Sequence, residues 1–153
     1  MKHRRRQFIR IAAGGAAIAA FGGTVTRPAA AAEWNKAGFQ AKGVDEAIKS
    51  LGATGAAPSK DIVIKAPDIA ENGAVVPIEV TSRIPNTQSI AIIADKNPFP
   101  LIAAFEFANG AEGYASTRVK MGGTSDVRAI VKADGKFYTA SREVKVTIGG
   151  CGG

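Results

Sequence analysis

The chain of 153 residues contains one cysteine, one histidine and one tryptophan. The histidine, His3, lies in the N-terminal stretch, so the body of the chain has no imidazole at all. That absence excludes a self-contained Cys/His pair or Ser/His/Asp triad, both of which need a base beside the nucleophile. One thiol cannot form an intramolecular disulfide. A zinc site built from Cys and His ligands is equally out of reach, and the carboxylates show no ligand-like spacing. No GxGxxG or phosphate-cradling loop opens a helix. There is no CxxC, hence no resolving thiol for disulfide exchange. No internal repeat is evident, and no apolar run reaches the ~20 strongly apolar residues of a membrane span. From these absences we expect a protein with no metal, no cofactor and no catalytic residues of its own.

The first residues read as an address. Arg4-Arg5-Arg6-Gln7-Phe8-Ile9-Arg10 matches a twin-arginine export signal, with Arg5 and Arg6 as the pair. An Ala/Gly-rich apolar run follows from Ile11 to about Val25, then Arg27-Pro28 and the alanines 29–32, an A-x-A-type cleavage site. We therefore expect residues 1–32 to be a cleaved signal, Glu33 or a near neighbour to begin the mature protein, and the periplasm to be its location. The whole chain has a formal charge of +7. Six cations and no acid lie in the leader, which leaves 14 basic against 13 acidic residues beyond it. The basic character is thus a property of the signal, and no argument for nucleic-acid or membrane binding.

Residues 33–148 have the length of one domain with a single core. Val44, Ala47, Ile48 and Leu51 fall at i, i+3, i+4 and i+7, one apolar stripe of a helix. Asp45 and Glu46 early, Lys49 late and Gly52 as a stop suit its polarity and its end. Trp34 and Phe39 are expected to anchor the segment before it by burial. Gly52 to Lys60 reads as turn. Beyond it the period drops to two. Strands are expected over Asp61–Lys65, Val75–Thr81, Ser89–Ala94, Leu101–Phe107, Tyr114–Met121, Ser125–Ala133, Lys136–Ala140 and Glu143–Ile148. Asn72-Gly73, Asn97-Pro98-Phe99-Pro100, Asn109-Gly110 and Asp134-Gly135 supply turns. Pro77 marks an edge or bulge. The run from Ser89 to Phe107 is apolar on both faces, as for strands covered on both sides, and could also offer a partner surface. Seven or eight short strands argue for an all-β, immunoglobulin-like antiparallel sandwich with an N-terminal helix.

The last strand runs directly into Gly149-Gly150-Cys151-Gly152-Gly153. Four glycines cannot pack as a core strand, and they leave the one thiol unshielded. The segment reads as a flexible swinging arm, in which Gly149, Gly150, Gly152 and Gly153 give freedom and a small cross-section while Cys151 carries the chemistry. An extended chain covers ~3.3–3.6 Å per residue, so three residues take the Cys151 Cα at most ~10 Å past Ile148. A free thiol has a pKa of ~8.5 and needs a cation, metal or helix N-terminus to activate it. Only glycines adjoin Cys151, so another protein's active site must supply the activation. Two readings stay open. Cys151 is a covalent carrying site, or it tethers an exported structural subunit through an intermolecular disulfide.

The terminal Gly-Gly-Cys-Gly-Gly, the twin-arginine leader, the run Ala66-Pro67-Asp68-Ile69-Ala70-Glu71-Asn72-Gly73-Ala74-Val75-Val76-Pro77 and Lys96-Asn97-Pro98-Phe99-Pro100 together resemble the SoxY family of sulfur carriers. The resemblance implies a non-enzymatic carrier of sulfur intermediates in thiosulfate oxidation, with Cys151 at the family's carrying position. It implies a heterodimer with a SoxZ-like sandwich subunit. A SoxAX-type c cytochrome would couple thiosulfate to the thiol as an S-thiosulfonate. A SoxB-type manganese hydrolase would release sulfate, and a sulfane dehydrogenase or another sink would process the sulfur left behind.

Overall fold

The computed structural model describes residues 34–108 and 110–148. The expected signal peptide with Arg5 and Arg6, residue Asn109 of the Asn109-Gly110 turn, and the arm 149–153 lie outside the described residues.

Two short helices come first, α1 (Lys36–Gln40) and α2 (Val44–Ser50). The Asn35 side chain caps α1 by accepting from the Gly38 N–H at 2.9 Å, which satisfies one of the free donors of the first turn. α2 is the helix read from the apolar stripe, with Asp45 and Glu46 in its first turn and Lys49 in its last. It ends as Gly52 predicts. Gly52 takes φ +70°, its N–H donates to the Lys49 carbonyl, and the Ala53 N–H donates to the Ile48 carbonyl. That bond pair is a Schellman ending, which favours glycine because the left-handed backbone penalises a Cβ. α1 itself was not expected. Trp34 differs from expectation too. It stacks on Phe39 at 5.8 Å between ring centroids but stays 65% exposed, while Phe39 packs against the helix-side core.

Nine strands follow: β1 (Ala57–Pro58), β2 (Ile62–Lys65), β3 (Ile69–Ala70), β4 (Val76–Ser82), β5 (Thr87–Ala94), β6 (Leu101–Glu106), β7 (Tyr114–Val119), β8 (Ser125–Ala133) and β9 (Lys136–Val146). The larger sheet has the order β1-β9-β8-β5-β6, with β3 also on β9, and the smaller has the order β2-β4-β7. All pairings among the seven longer strands are antiparallel. β1 and β3 add parallel to opposite ends of β9. The two sheets face each other across Val76, Ile78 and Val80 of β4, Ile90 and Ile92 of β5, and Val127, Ala129 and Val131 of β8, all fully or almost fully buried. The fold is therefore the expected two-sheet sandwich with helices on one outer face.

β5 explains the unbroken run Ile90-Ala91-Ile92-Ile93-Ala94. Ile90 and Ile92 enter the inter-sheet core, while Ala91 and Ile93 enter a second core under the helices with Ala41, Ala47, Ala53, Leu101 and Ile130. A strand covered on both faces has no polar face to show. β6 is not covered in this way. It is the sheet edge, and Ala104 and Glu106 are exposed. Pro77 sits in the middle strand of its sheet, yet β2 pairs with β4 only from Glu79 onward. At Pro77 the strand therefore has a neighbour on one side alone, a place where a missing N–H is tolerated.

Two expected strands prove to be one. β9 runs unbroken through Ala140-Ser141-Arg142 because β8 pairs with it along its length, from Ser125↔Val144 to Ala133↔Lys136. The hairpin turn is Asp134-Gly135, with φ +47° and +72°, the twin positive φ of a tight two-residue turn. The Arg142 side chain closes the seam between the sheets, reaching the Ile64 carbonyl at 3.5 Å and Asp68 Oδ1 at 2.6 Å.

Ile92 lies on a central strand with no exposed surface. Ile92→Ala should lower unfolding free energy by about 2–5 kcal/mol, the transfer term plus the cavity left behind, read as a lower urea midpoint with unchanged m-value.

Candidate functional site: the root of the C-terminal segment

Cys151, Gly149, Gly150, Gly152 and Gly153 lie outside the described residues, as do Arg5 and Arg6. The structure describes instead how the chain is held just before them. β9 ends at Val146, but its backbone bonding continues for two residues. The Lys145 N–H donates to the Asp68 carbonyl at 3.0 Å and the Thr147 N–H to the Ala70 carbonyl at 3.1 Å. The Thr147 hydroxyl donates to the Glu71 carbonyl at 2.9 Å. Finally, the Gly73 N–H donates to the Ile148 carbonyl at 2.8 Å. These bonds belong to a segment about seventy-five residues earlier in the chain, so the root is clamped by tertiary structure, not by local propensity. Asn72 shapes that segment, its side chain accepting from the Ala74 N–H at 2.8 Å in an Asx turn that brings the backbone round.

The clamp is tied into the neighbouring loops. The carbonyl of buried Gly73 accepts from the Met121 N–H at 2.7 Å. The Asn97 side chain donates to the Lys120 carbonyl at 2.7 Å and accepts from the Gly122 N–H at 3.0 Å. Thr124 Oγ1 accepts from the Val146 N–H at 2.9 Å, and Ser125 Oγ, on a residue 2% exposed, accepts from the Lys96 N–H at 3.0 Å. The Arg128 guanidinium bonds Asp95 at 2.7 and 3.4 Å. That bond raises the Arg128 pKa above the ordinary arginine value. Loops 71–75, 95–100 and 120–124 and the strand end thus form one hydrogen-bonded platform.

No other part of the described residues competes as a chemical site. The cleft between the helices and the larger sheet, about 340 Å³, is lined by Trp34, Phe39, Phe137, Ser50 and Ser89 among others. Its hydroxyls have no imidazole or thiol beside them, and Ser50 already donates to the Ala47 carbonyl at 2.7 Å. Among the described residues no three His, Cys, Asp or Glu side chains come together as a metal site. No described helix is long and apolar enough to cross a membrane.

The class defined by the described residues is a two-sheet sandwich domain whose last strand is clamped through Ile148. Comparison with known proteins carries this to a family. The model for sulfur oxidation protein SoxY matches residues 48–151, a span that ends on Cys151. The solved structure of the sulfur carrier protein SoxY from Chlorobium limicola f thiosulfatophilum is 41% identical over 65% of this chain and 94% of its own, with a TM-score of 0.57. A comparison with curated proteins gives no match. The chain belongs to the SoxY family, the sulfur carriers of sulfur oxidation.

The residues that sequence reasoning missed are those of the clamp: β3, Gly73 and Thr147. The only signal was Asn72-Gly73, legible as a turn but not as a partner for Ile148. Thr147→Val keeps the shape and removes one exposed hydroxyl bond, a loss of about 0.5–1.5 kcal/mol. Amide exchange at Gly73 should quicken by about two- to tenfold on that scale, with the global urea midpoint almost unchanged.

Proposed function

We propose that the protein carries sulfur intermediates covalently on the Cys151 thiol during periplasmic thiosulfate oxidation, as a substrate of other enzymes and without a cofactor of its own. The observation that carries this reading is the family match, which extends through the strand end to Cys151 itself. The root geometry supports it, because the main-chain bonds hold the strand end through Ile148, three positions before Cys151. Gly149, Gly150, Gly152 and Gly153 serve as the thin, unhindered flanks that let the thiol enter a partner's cleft. Arg5 and Arg6 direct export by the twin-arginine route, which accepts folded protein and so allows export together with a leaderless SoxZ-like subunit.

The loading step joins the Cys151 sulfur to the outer sulfur of thiosulfate. A proton leaves the thiol and two electrons pass, one at a time, through the haem of a SoxAX-type cytochrome to its electron acceptor, giving an S-thiosulfonate. Hydrolysis by a SoxB-type enzyme then adds water across the terminal S–S bond. Sulfate leaves as HSO4⁻ and a persulfide, Cys–S–SH, remains, with no net change in electrons. A sulfane dehydrogenase, or another sulfur acceptor, takes the persulfide further.

Cys151→Ser should leave the urea midpoint unchanged, and should abolish both the thiosulfonate mass on the C-terminal peptide and turnover in a reconstituted system. Normal thiosulfate turnover by that variant would sink the carrier reading. A quantitative reducible cross-link with no sulfur adduct under any substrate condition would favour the tether instead. Replacing Gly149 and Gly150 together by valine should slow enzymatic loading several-fold while leaving the melting temperature in place, because bulk obstructs entry without removing any burial.

A further inference from the structure

Asn72 does more than turn the chain, because the residue after it is a glycine. The Asn72 side chain is exposed to water while Gly73 is buried. Its amide carbonyl oxygen accepts from the Ala74 N–H at 2.8 Å. That donor sits where negative charge would develop if the carbonyl carbon were attacked. The nucleophile in reach is the main-chain nitrogen of Gly73, held near by the chain itself, and glycine has no Cβ to hinder ring closure. An amide nitrogen attacks only after hydroxide has taken its proton. Here that proton is the one donated to the Ile148 carbonyl at 2.8 Å. Hydroxide therefore reaches it only when the clamp opens, which is also the condition for amide hydrogen exchange.

We propose that Asn72-Gly73 is a self-modifying site, kept unreacted by the bond to Ile148, and that its reaction releases the root of the C-terminal segment. The deprotonated Gly73 nitrogen forms a bond to Asn72 Cγ. The Cγ–Nδ2 bond breaks, the side-chain nitrogen takes a proton from water and leaves as ammonia, and hydroxide is regenerated. Nothing is oxidised or reduced. In the resulting succinimide the Gly73 nitrogen is bonded to two carbonyl carbons and has no proton, so the donor that held Ile148 is consumed. Water then opens the ring at either carbonyl. Opening at Cγ restores the ordinary main chain with an aspartate, whose carboxylate still accepts from the Ala74 N–H. Opening at the main-chain carbonyl gives isoaspartate, which adds a methylene to the main chain just before Gly73. That insertion takes Gly73 out of register with both Ile148 and Met121, its two main-chain partners. The last hold on the chain end then retreats to Thr147, whose N–H bonds to Ala70, ahead of the modified pair. Whatever Cys151 carries, the segment that bears it would then start from a looser root.

The test incubates the full-length protein in mildly alkaline buffer, folded or unfolded in urea, and follows amide loss at Asn72 by peptide mass. Isoaspartate is scored by enzymatic methylation of its free α-carboxylate. Asn109-Gly110, the other Asn-Gly pair of the chain, is mapped separately in the same digest. Hydrogen exchange at the Gly73 amide is measured alongside. Asn72 should keep its amide several-fold longer in the folded protein than in urea. Thr147→Val should quicken Gly73 exchange and Asn72 amide loss by the same factor, about two- to tenfold, because both begin with removal of the same proton. Thr147→Ala is an independent variant should valine pack poorly. The isoaspartyl form, isolated by anion exchange, should exchange Gly73 faster than the unmodified protein, while the amides of buried Ile90 and Ile92 keep their protection. Equal amide loss in folded and unfolded protein, the lack of a parallel rise in the Thr147 variants, or undisturbed Gly73 exchange in the isoaspartyl form would each overturn the inference.

Discussion

Everything in this molecule depends on how β9 is held. Among the described residues it is the longest strand and the last one, so it is both scaffold and exit. β8 pairs with it through nine residue pairs. Its other edge is shared, with β1 covering the start and β3 the finish, and the Arg142 guanidinium bridges between them to Asp68 and Ile64. A strand left open along that side would be a template for pairing with another chain. Covering it in pieces removes that hazard and fixes the direction in which the chain departs. The platform loops then receive the strand end, and the thiol-bearing segment begins from a point that the core itself determines.

That dependence also explains what the sequence could and could not say. The period-two runs were readable because each inward residue meets a core. Val76, Ile78 and Val80 are fully buried, as are Ile90 and Ile92. Gly52 and Asp134-Gly135 were readable because each must adopt a positive φ that few residue pairs tolerate. β1 and β3 were not readable. Two residues cannot display a period, and their place is set by the β9 edge, which is distant in sequence. Ile148 illustrates the same gap. Alternation assigned it to the face of Val144, but the sandwich core ends at Val144, Val146 is only half-buried, and Ile148 is 68% exposed. Pattern continues past the point where packing stops. Trp34 misled for a related reason, since a large aromatic ring can be stabilised by stacking on Phe39 without entering the core.

For the site, the position of Cys151 was legible, and the family model's span ends on it, but the clamp before it was not. One thiol and no histidine in the body of the chain exclude a Cys/His pair or a Ser/His/Asp triad built from those residues. The clamp left no such mark. It consists of main-chain bonds from residues 70–73 to residues 147–148 and one hydroxyl bond from Thr147, and main-chain partners are not encoded in residue type. The structure therefore adds the clamp that holds the chain through Ile148.

The position of that origin has an energetic consequence. Ordering a residue's backbone costs about 1–2 kcal/mol, with glycine at the upper side because it has most freedom to lose. Were the chain free from the last core residue, Val144, entry of the thiol into a partner's cleft would order Lys145 to Cys151, seven residues at about 7–14 kcal/mol. Clamping through Ile148 settles four of those during folding and leaves three, about 3–6 kcal/mol, which the main-chain bonds and contacts of a narrow cleft can offset. On the proposed carrier reading, a root clamped through Ile148 therefore exchanges range for a lower ordering cost each time the thiol enters a cleft.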